Sequence, residues 1–404
     1  MLLGLVGLYD PPRPGVAQAI RACRHGGIKV TMVTGDYGLT AQAIARQIGL
    51  LDAPAHGPAD PVRLISGEDL QQLSDGQLRQ LIKWRSRLVF ARMAPEQKLR
   101  LVQAYKDLGE VVAVTGDGVN DAPALRAADV GLAMGRNGTD VAREAADIVL
   151  LDDNFATIVS AVRHGRTVYQ NIRKFLTYIL ASNVPEVAPF LAMLALRIPA
   201  ALTVLQILAV DLGTDLLPAL ALGAEPPQGD VMQSPPRSRR EALLNRPVML
   251  RAYLFLGVLE ALLAMAAYGL TWHSHGLGLV ELRAAAPALM HHNAPEALQA
   301  IQRQASAAAL GAIVFGQIGT LLACRSEWQS ILQMPLAANP LLGLGIGAEL
   351  LAFGALLVLP PLAQTFQVAP FPPQLWWWLL ACTPALLLAD EARKVWVRRH
   401  LSCR

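Results

Sequence analysis

Charge is scarce in this 404-residue chain: Asp, Glu, Lys and Arg make up 16% of it, against 53% hydrophobic residues. That balance excludes an ordinary soluble globular protein and places part of the chain in a membrane. Cysteine is scarcer still. The four residues Cys23, Cys324, Cys382 and Cys403 form no CxxC or CPC spacing, which excludes a disulfide framework and a soft-metal relay. The opening stretch MLLGLVGLYDPPR has no basic n-region, no long apolar core and no small-residue cleavage site. It reads as a strand entering a turn and not as a signal peptide. Also lacking is a basic stripe interleaved with aromatics. The net charge is +4, but the arginines gather beside apolar runs, so nucleic acid is not an expected partner.

Polarity is unevenly placed. Roughly the first 170 residues read as a mixed soluble region, and the rest as long apolar runs separated by short polar stretches. In the soluble region, strands are expected at 29–34, 88–91, 111–115, 130–134 and 148–151, with helices at 38–48, 95–108 and 122–128. Such alternation predicts a parallel sheet with helices on both faces, whose ligands sit beyond the carboxyl ends of the strands.

Two of those ends carry acids in glycine turns. In VAVTGDGVNDAPAL an apolar strand runs into Gly116, Asp117, Gly118, Asn120 and Asp121. The glycines permit close approach to a phosphate, and carboxylate with phosphoryl oxygens suits Mg²⁺. In MVTGDYGLTA, Thr34, Gly35 and Asp36 form a similar turn, and FARMAPEQK puts Lys98 near a helix start. Alone, a GD turn is most often a helix cap. A hydroxyl, a cation and paired carboxylates together are the parts that bind a transferring phosphoryl group.

Six apolar runs are long enough to span a bilayer, at about 172–197, 199–222, 249–270, 305–324, 340–362 and 374–392. Arg237, Arg239, Arg240, Arg246 and Arg251 fall in the second to third connection, and Arg393, Lys394, Arg398, Arg399 and Arg404 at the tail. This bias puts both, with the soluble region, on the cytoplasmic side. The first run contains SNVPEVAP, with Asn183 and Glu186 on one helix face. The second contains DLGTDLLP, with Asp211, Thr214 and Asp215 on a common face above Pro218. Acids in hydrocarbon cost several kcal/mol unless paired, protonated or bound to a cation. Oxygen groups on two adjacent spans point to a hard cation. Gln317 is a weaker ligand candidate, and Glu260 and Glu349 either line an ion path or lie near a boundary.

YDPPRPGVAQAIRACRHGGIKVTMVTGDYGLTAQAIA, FARMAPEQK and VTGDGVNDAPALRAADVGLAMGRNGTDVAREAADIVLLDDNF closely resemble the phosphorylation (P) domain of P-type cation-transporting ATPases. SNVPEVAPF and VDLGTDLLPALALGAEPP resemble the transport-site helices of the calcium and sodium/potassium branch. The resemblance implies an α/β haloacid-dehalogenase-like (Rossmann-like) partial P domain at 1–165 and an all-α bundle of six transmembrane helices at 166–404. It implies ATP and Mg²⁺ as cofactors and a transported cation and the lipid bilayer as partners. Thr34 and Lys98 would contact the phosphoryl group, Asp117 would ligate Mg²⁺, and Asn120 and Asp121 would support that site. Arg92 would face the nucleotide, with Gly35 and Asp36 beside it, and Asp10 to Pro12 would form a hinge.

The family's phosphorylated aspartate lies in a DKTGT motif upstream of these segments, and no DKTGT occurs in this sequence. The expectation is therefore the C-terminal part of a pump, inactive by itself without the N-terminal segments that would supply the acceptor, the nucleotide-binding and actuator domains and the earlier spans. The alternative is a truncated, non-catalytic membrane protein that binds Mg²⁺ or a partner without turnover.

Overall fold

The computed structural model describes residues 11–51, 63–85, 87–239, 241–291 and 293–401. The opening strand and turn, Asp10 of the expected hinge, Arg240, Cys403 and Arg404 lie outside them. The chain divides into two compact units: Met1–Arg166 with Gly229–Ser238, and Thr167–Gln228 with Arg239–Arg404.

In the first unit the order is α1 (Val16–His25), β1 (Met32–Val33), α2 (Gly38–Gln47), β2 (Arg63–Ser66), α3 (Gly67–Gln72), α4 (Asp75–Trp84), β3 (Leu88–Ala91) and α5 (Pro95–Asp107). β4 (Ala113–Gly116), α6 (Ala122–Ala127), β5 (Val130–Met134), α7 (Asp140–Ala145) and β6 (Ile148–Leu150) follow. Every strand pairing is parallel. The strands form two sheets, β1-β3-β2 and β4-β5-β6, where the sequence alternation predicted one. Among the described strands, β1 and β4 do not pair with each other.

β3 shows why the first sheet is stable. All four of its residues are buried, and their alternation sends Leu88 and Phe90 into a cluster with Leu70, Leu78, Ile82 and Leu101. Val89 and Ala91 enter the opposite cluster with Ile20, Ala41 and Ala45. A strand apolar on both sides requires helices on both faces. α4 starts where Ser74 accepts from the Gln77 backbone N–H and Gln77 returns its side chain to the Ser74 N–H, a reciprocal cap.

α8 (Phe155–Leu196) begins in the first unit and continues through the second. The second unit goes on with α9 (Val204–Gly223), α10 (Arg246–Ser274), α11 (Leu279–Met290), α12 (Glu296–Cys324), α13 (Pro340–Val358), α14 (Pro360–Thr365) and α15 (Leu375–Leu401). Five of these, α8, α9, α10, α12 and α13, are long and apolar enough to cross a membrane. Five of the six expected runs thus meet this criterion of length and composition among the described residues. Run 374–392 is helical, but the tryptophans Trp376 to Trp378 and the polar Asp390 and Glu391 dilute its hydropathy. The run expected from 199 becomes helical only at Val204, because Thr203 caps there with Gln206.

Among the five candidate spans α12 is the most buried, with 89% of its apolar window buried. Its small residues let neighbours approach: a Cβ on Gly319 would lie 3.0 Å from the Leu386 Cβ and the Thr383 carbonyl oxygen of α15.

Candidate functional sites

In the first unit, β4 runs into a turn built around Asp121. One carboxylate oxygen of Asp121 receives the Lys98 ammonium at 2.6 Å. The other accepts the backbone N–H groups of Asp117 (3.3 Å) and Gly118 (3.2 Å). Gly116 is required by this arrangement, since a Cβ there would stand 2.5 Å from the Asp121 Cβ. The Asp117 carbonyl accepts the Thr139 N–H at 2.8 Å, fixing the outer limb of the turn. The Asp117 side chain is left exposed, as is Asn120. An ordered turn with a cation beside an exposed carboxylate can seat a divalent metal and a phosphate oxygen together.

The second turn follows β1. Thr34 uses its hydroxyl to accept the Asp36 N–H at 3.1 Å, while its own N–H bonds the Phe90 carbonyl of β3 at 2.9 Å. Gly35 and Asp36 are exposed, and Arg92 stacks its guanidinium 4.7 Å from the centre of the Tyr37 ring. Thus Lys98 and Asp121 are joined directly, as are Thr34 and Asp36. The two turns end strands of different sheets.

In the second unit, three carboxylates converge. Glu186 of α8 and Asp211 and Asp215 of α9 each place an oxygen within 4.8 Å of the other two. The site depends on a local irregularity that the residue spacing does not predict. Residues Val210–Thr214 form a π turn, and the Asp215 N–H reaches back five residues to the Val210 carbonyl at 3.0 Å. Such turns often mark functional positions in helices. Pro185 and Pro189 stand inside α8 on either side of Glu186. Asp215 is 5% exposed, and the Tyr178 hydroxyl donates to it at 3.2 Å. One oxygen of the buried Glu186 has no partner. Unpartnered buried oxygen among like charges is costly unless it is protonated, paired or bound to a cation.

Of the other expected ligands, Asn183 is half-buried one turn before Glu186. Thr214 is buried with its hydroxyl donating to the Val210 carbonyl at 2.9 Å. Gln317 is fully buried, and neither amide atom has a partner. The sequence reading left Glu260 and Glu349 unassigned. Both are completely buried. Glu260 accepts the Thr320 hydroxyl at 2.7 Å with one oxygen while the other is unpartnered, and neither oxygen of Glu349 has a partner. Their signal was an acid within an apolar run.

Residues 199–396 match the profile of the family described as cation transporting ATPase, C-terminus, and residues 1–129 match that of haloacid dehalogenase-like hydrolase. The chain belongs to the P-type cation-transporting ATPases. It is 40% identical over 396 residues to a calcium-transporting ATPase of Bacillus subtilis, covering 96% of this chain and 40% of that protein. It is 34% identical over 428 residues to sodium/potassium-transporting ATPase subunit alpha-4 of Rattus norvegicus, covering 98% of this chain and 41% of that one. Against the human alpha-4 subunit the identity is 35% over 433 residues, covering 98% and 42% respectively. The chain therefore spans about two fifths of the length of these relatives. As a member of this family it combines a haloacid-dehalogenase-like domain with a multi-pass membrane region, and the family generally uses ATP and Mg²⁺.

Proposed function

We propose that this chain forms part of the P domain and the C-terminal membrane bundle of a pump that couples ATP hydrolysis to cation movement. The observation that carries this reading is the convergence of Glu186, Asp211 and Asp215 at the π turn of an apolar helix. Carboxylate oxygens in that setting suit a hard cation of the calcium or sodium/potassium class. In the soluble unit, Asp117 would ligate Mg²⁺, Lys98 and Thr34 would contact the phosphoryl oxygens, and Asp121 would hold Lys98 and the turn in place. Asn120 would support the metal site, and Gly35, Asp36 and Arg92 would face the nucleotide.

An aspartyl-phosphate requires an acceptor carboxylate. The sequence contains no DKTGT, so the acceptor is assigned to a segment preceding this one in a longer pump. The earlier spans and the nucleotide-binding and actuator domains belong to the same proposal. So does a bacterial plasma-membrane location with the P domain and the C-terminal basic residues cytoplasmic, which makes α15 a further crossing.

The deciding experiment is flux in vesicles carrying the longer pump, measured separately with calcium, sodium, potassium and protons. One of these ions should move in an ATP-dependent manner, and Asp215→Asn should abolish it together with cation-dependent phosphorylation. Phosphorylation that keeps its cation dependence in that variant would sink the site assignment. Asp117→Ala should remove Mg²⁺-dependent phosphorylation while cation binding to the membrane unit persists.

A further inference from the structure

Arg92 stands at a strained place. Its φ is 53°, in the left-handed region that residues with a side chain seldom occupy. Two backbone bonds hold it there: its N–H donates to the Asp36 carbonyl and the Met93 N–H to the Thr34 carbonyl, both at 3.0 Å. The backbone of Arg92 is thereby tied to the turn that carries Thr34 and Asp36.

The side chain is held differently. Its guanidinium lies 4.7 Å from the centre of the Tyr37 ring, and no carboxylate pairs with it among the described residues. Both side chains border a cleft of about 570 Å³ whose wall also includes Leu64, Ser66, Gly67 and Gln71. Of the two acids in that wall, Glu68 is exposed, and Asp69 is engaged by the Ser66 backbone N–H at 3.0 Å and the Ser66 hydroxyl at 2.7 Å. A guanidinium steadied only by an aromatic face keeps its N–H donors available for oxygen ligands.

We propose that Tyr37 is a positioning residue, whose ring holds the Arg92 guanidinium at the mouth of this cleft so that it meets the ribose-phosphate portion of a nucleoside triphosphate. The ligand class rests on the reading that Arg92 faces nucleotide; the hold of the ring on Arg92 does not. Tyr37 is 54% exposed, so changing it does not threaten the core.

The test is the rate at which phenylglyoxal labels Arg92 in the longer pump, which carries the nucleotide-binding domain, read by peptide mass spectrometry with and without Mg-ATP. Loss of an exposed cation–π contact predicts labelling about two- to five-fold faster in Tyr37→Ala, with Tyr37→Phe at the parental rate. Equal rates in parent and Tyr37→Ala overturn the proposal, and so does acceleration in Tyr37→Phe, which would assign the hold to the hydroxyl. Mg-ATP should slow labelling in the parent, and less so in Tyr37→Ala. Absence of protection in the parent would defeat the nucleotide reading separately, since the hold of the ring on Arg92 is decided by the rates without ATP.

Discussion

Lys98 and Asp121 are each less than one fifth exposed and meet at 2.6 Å, so each is the other's main neutralising charge. Replacing Lys98 by Met leaves a carboxylate in a partly dehydrated place, with only two backbone amides to hold it. Thermal unfolding of the soluble unit should show a loss of about 1–3 kcal/mol. A variant as stable as the parent would mean that water substitutes fully for the ammonium. Asp153 offers a test by pH. Burial pushes its carboxyl up, but N–H groups of Arg136, Asn137 and Gly135 and the charge of Arg13 outweigh this and hold it below the ordinary carboxylate range. A carboxylate depressed in the folded state contributes stability that is present above its unfolded pKa and lost as pH falls through its folded pKa. The parent should therefore lose stability below about pH 4, and Asp153→Asn should flatten that acid limb. An identical acid limb in the variant would show that other carboxylates set it.

At the scale of elements, α12 and α15 illustrate packing with little slack. Gly319→Val would force side-chain atoms into the Leu386 and Thr383 positions, and overpacking of this kind costs about 1–3 kcal/mol. Thermal denaturation in detergent should register that loss, whereas Gly343→Ala, on a helical glycine with nothing within 4 Å, should leave the midpoint unlowered or raise it slightly. Elements also differ in how visible they were in the sequence. β3 and β5 read directly, because a buried parallel strand is a short apolar run. β2 escaped because Arg63 begins it and Ser66 ends it, leaving two apolar residues to carry the pattern. α4 was readable in principle from Ser74 and Gln77. The Asp117 turn, with Lys98 beside it, could be read because its residue types are demanded by chemistry. The π turn at Val210–Thr214 could not: the sequence places Asp211 and Asp215 four apart, but which carbonyl a backbone N–H selects depends on the helices packed around it. Similarly, Glu260 and Glu349 show as acids in apolar runs, while their complete burial follows from tertiary packing.

For the whole molecule, the division into two units of opposite solvent preference has a measurable counterpart. The first has its core around parallel sheets, and the second is built from helices with apolar outer faces. Calorimetry in detergent should give two transitions. Mg²⁺ should shift only the one belonging to the first unit, and the cation proposed for the carboxylate cluster only the other, by mass action on the folded form. Asp117→Ala and Asp215→Asn should each abolish one shift and spare its counterpart; a single transition moved by both ligands would contradict this.

The burial of α12 also constrains how the chain is made. Its covering surfaces come from α10, synthesised before it, and from α15, which starts only at Leu375. During synthesis this Ala- and Gly-rich helix must enter the bilayer with one side still facing lipid or the insertion machinery. Ribosomes stalled between Cys324 and Leu375 would hold that side open, and crosslinks from Gly319 to a membrane chaperone should vanish once α15 emerges.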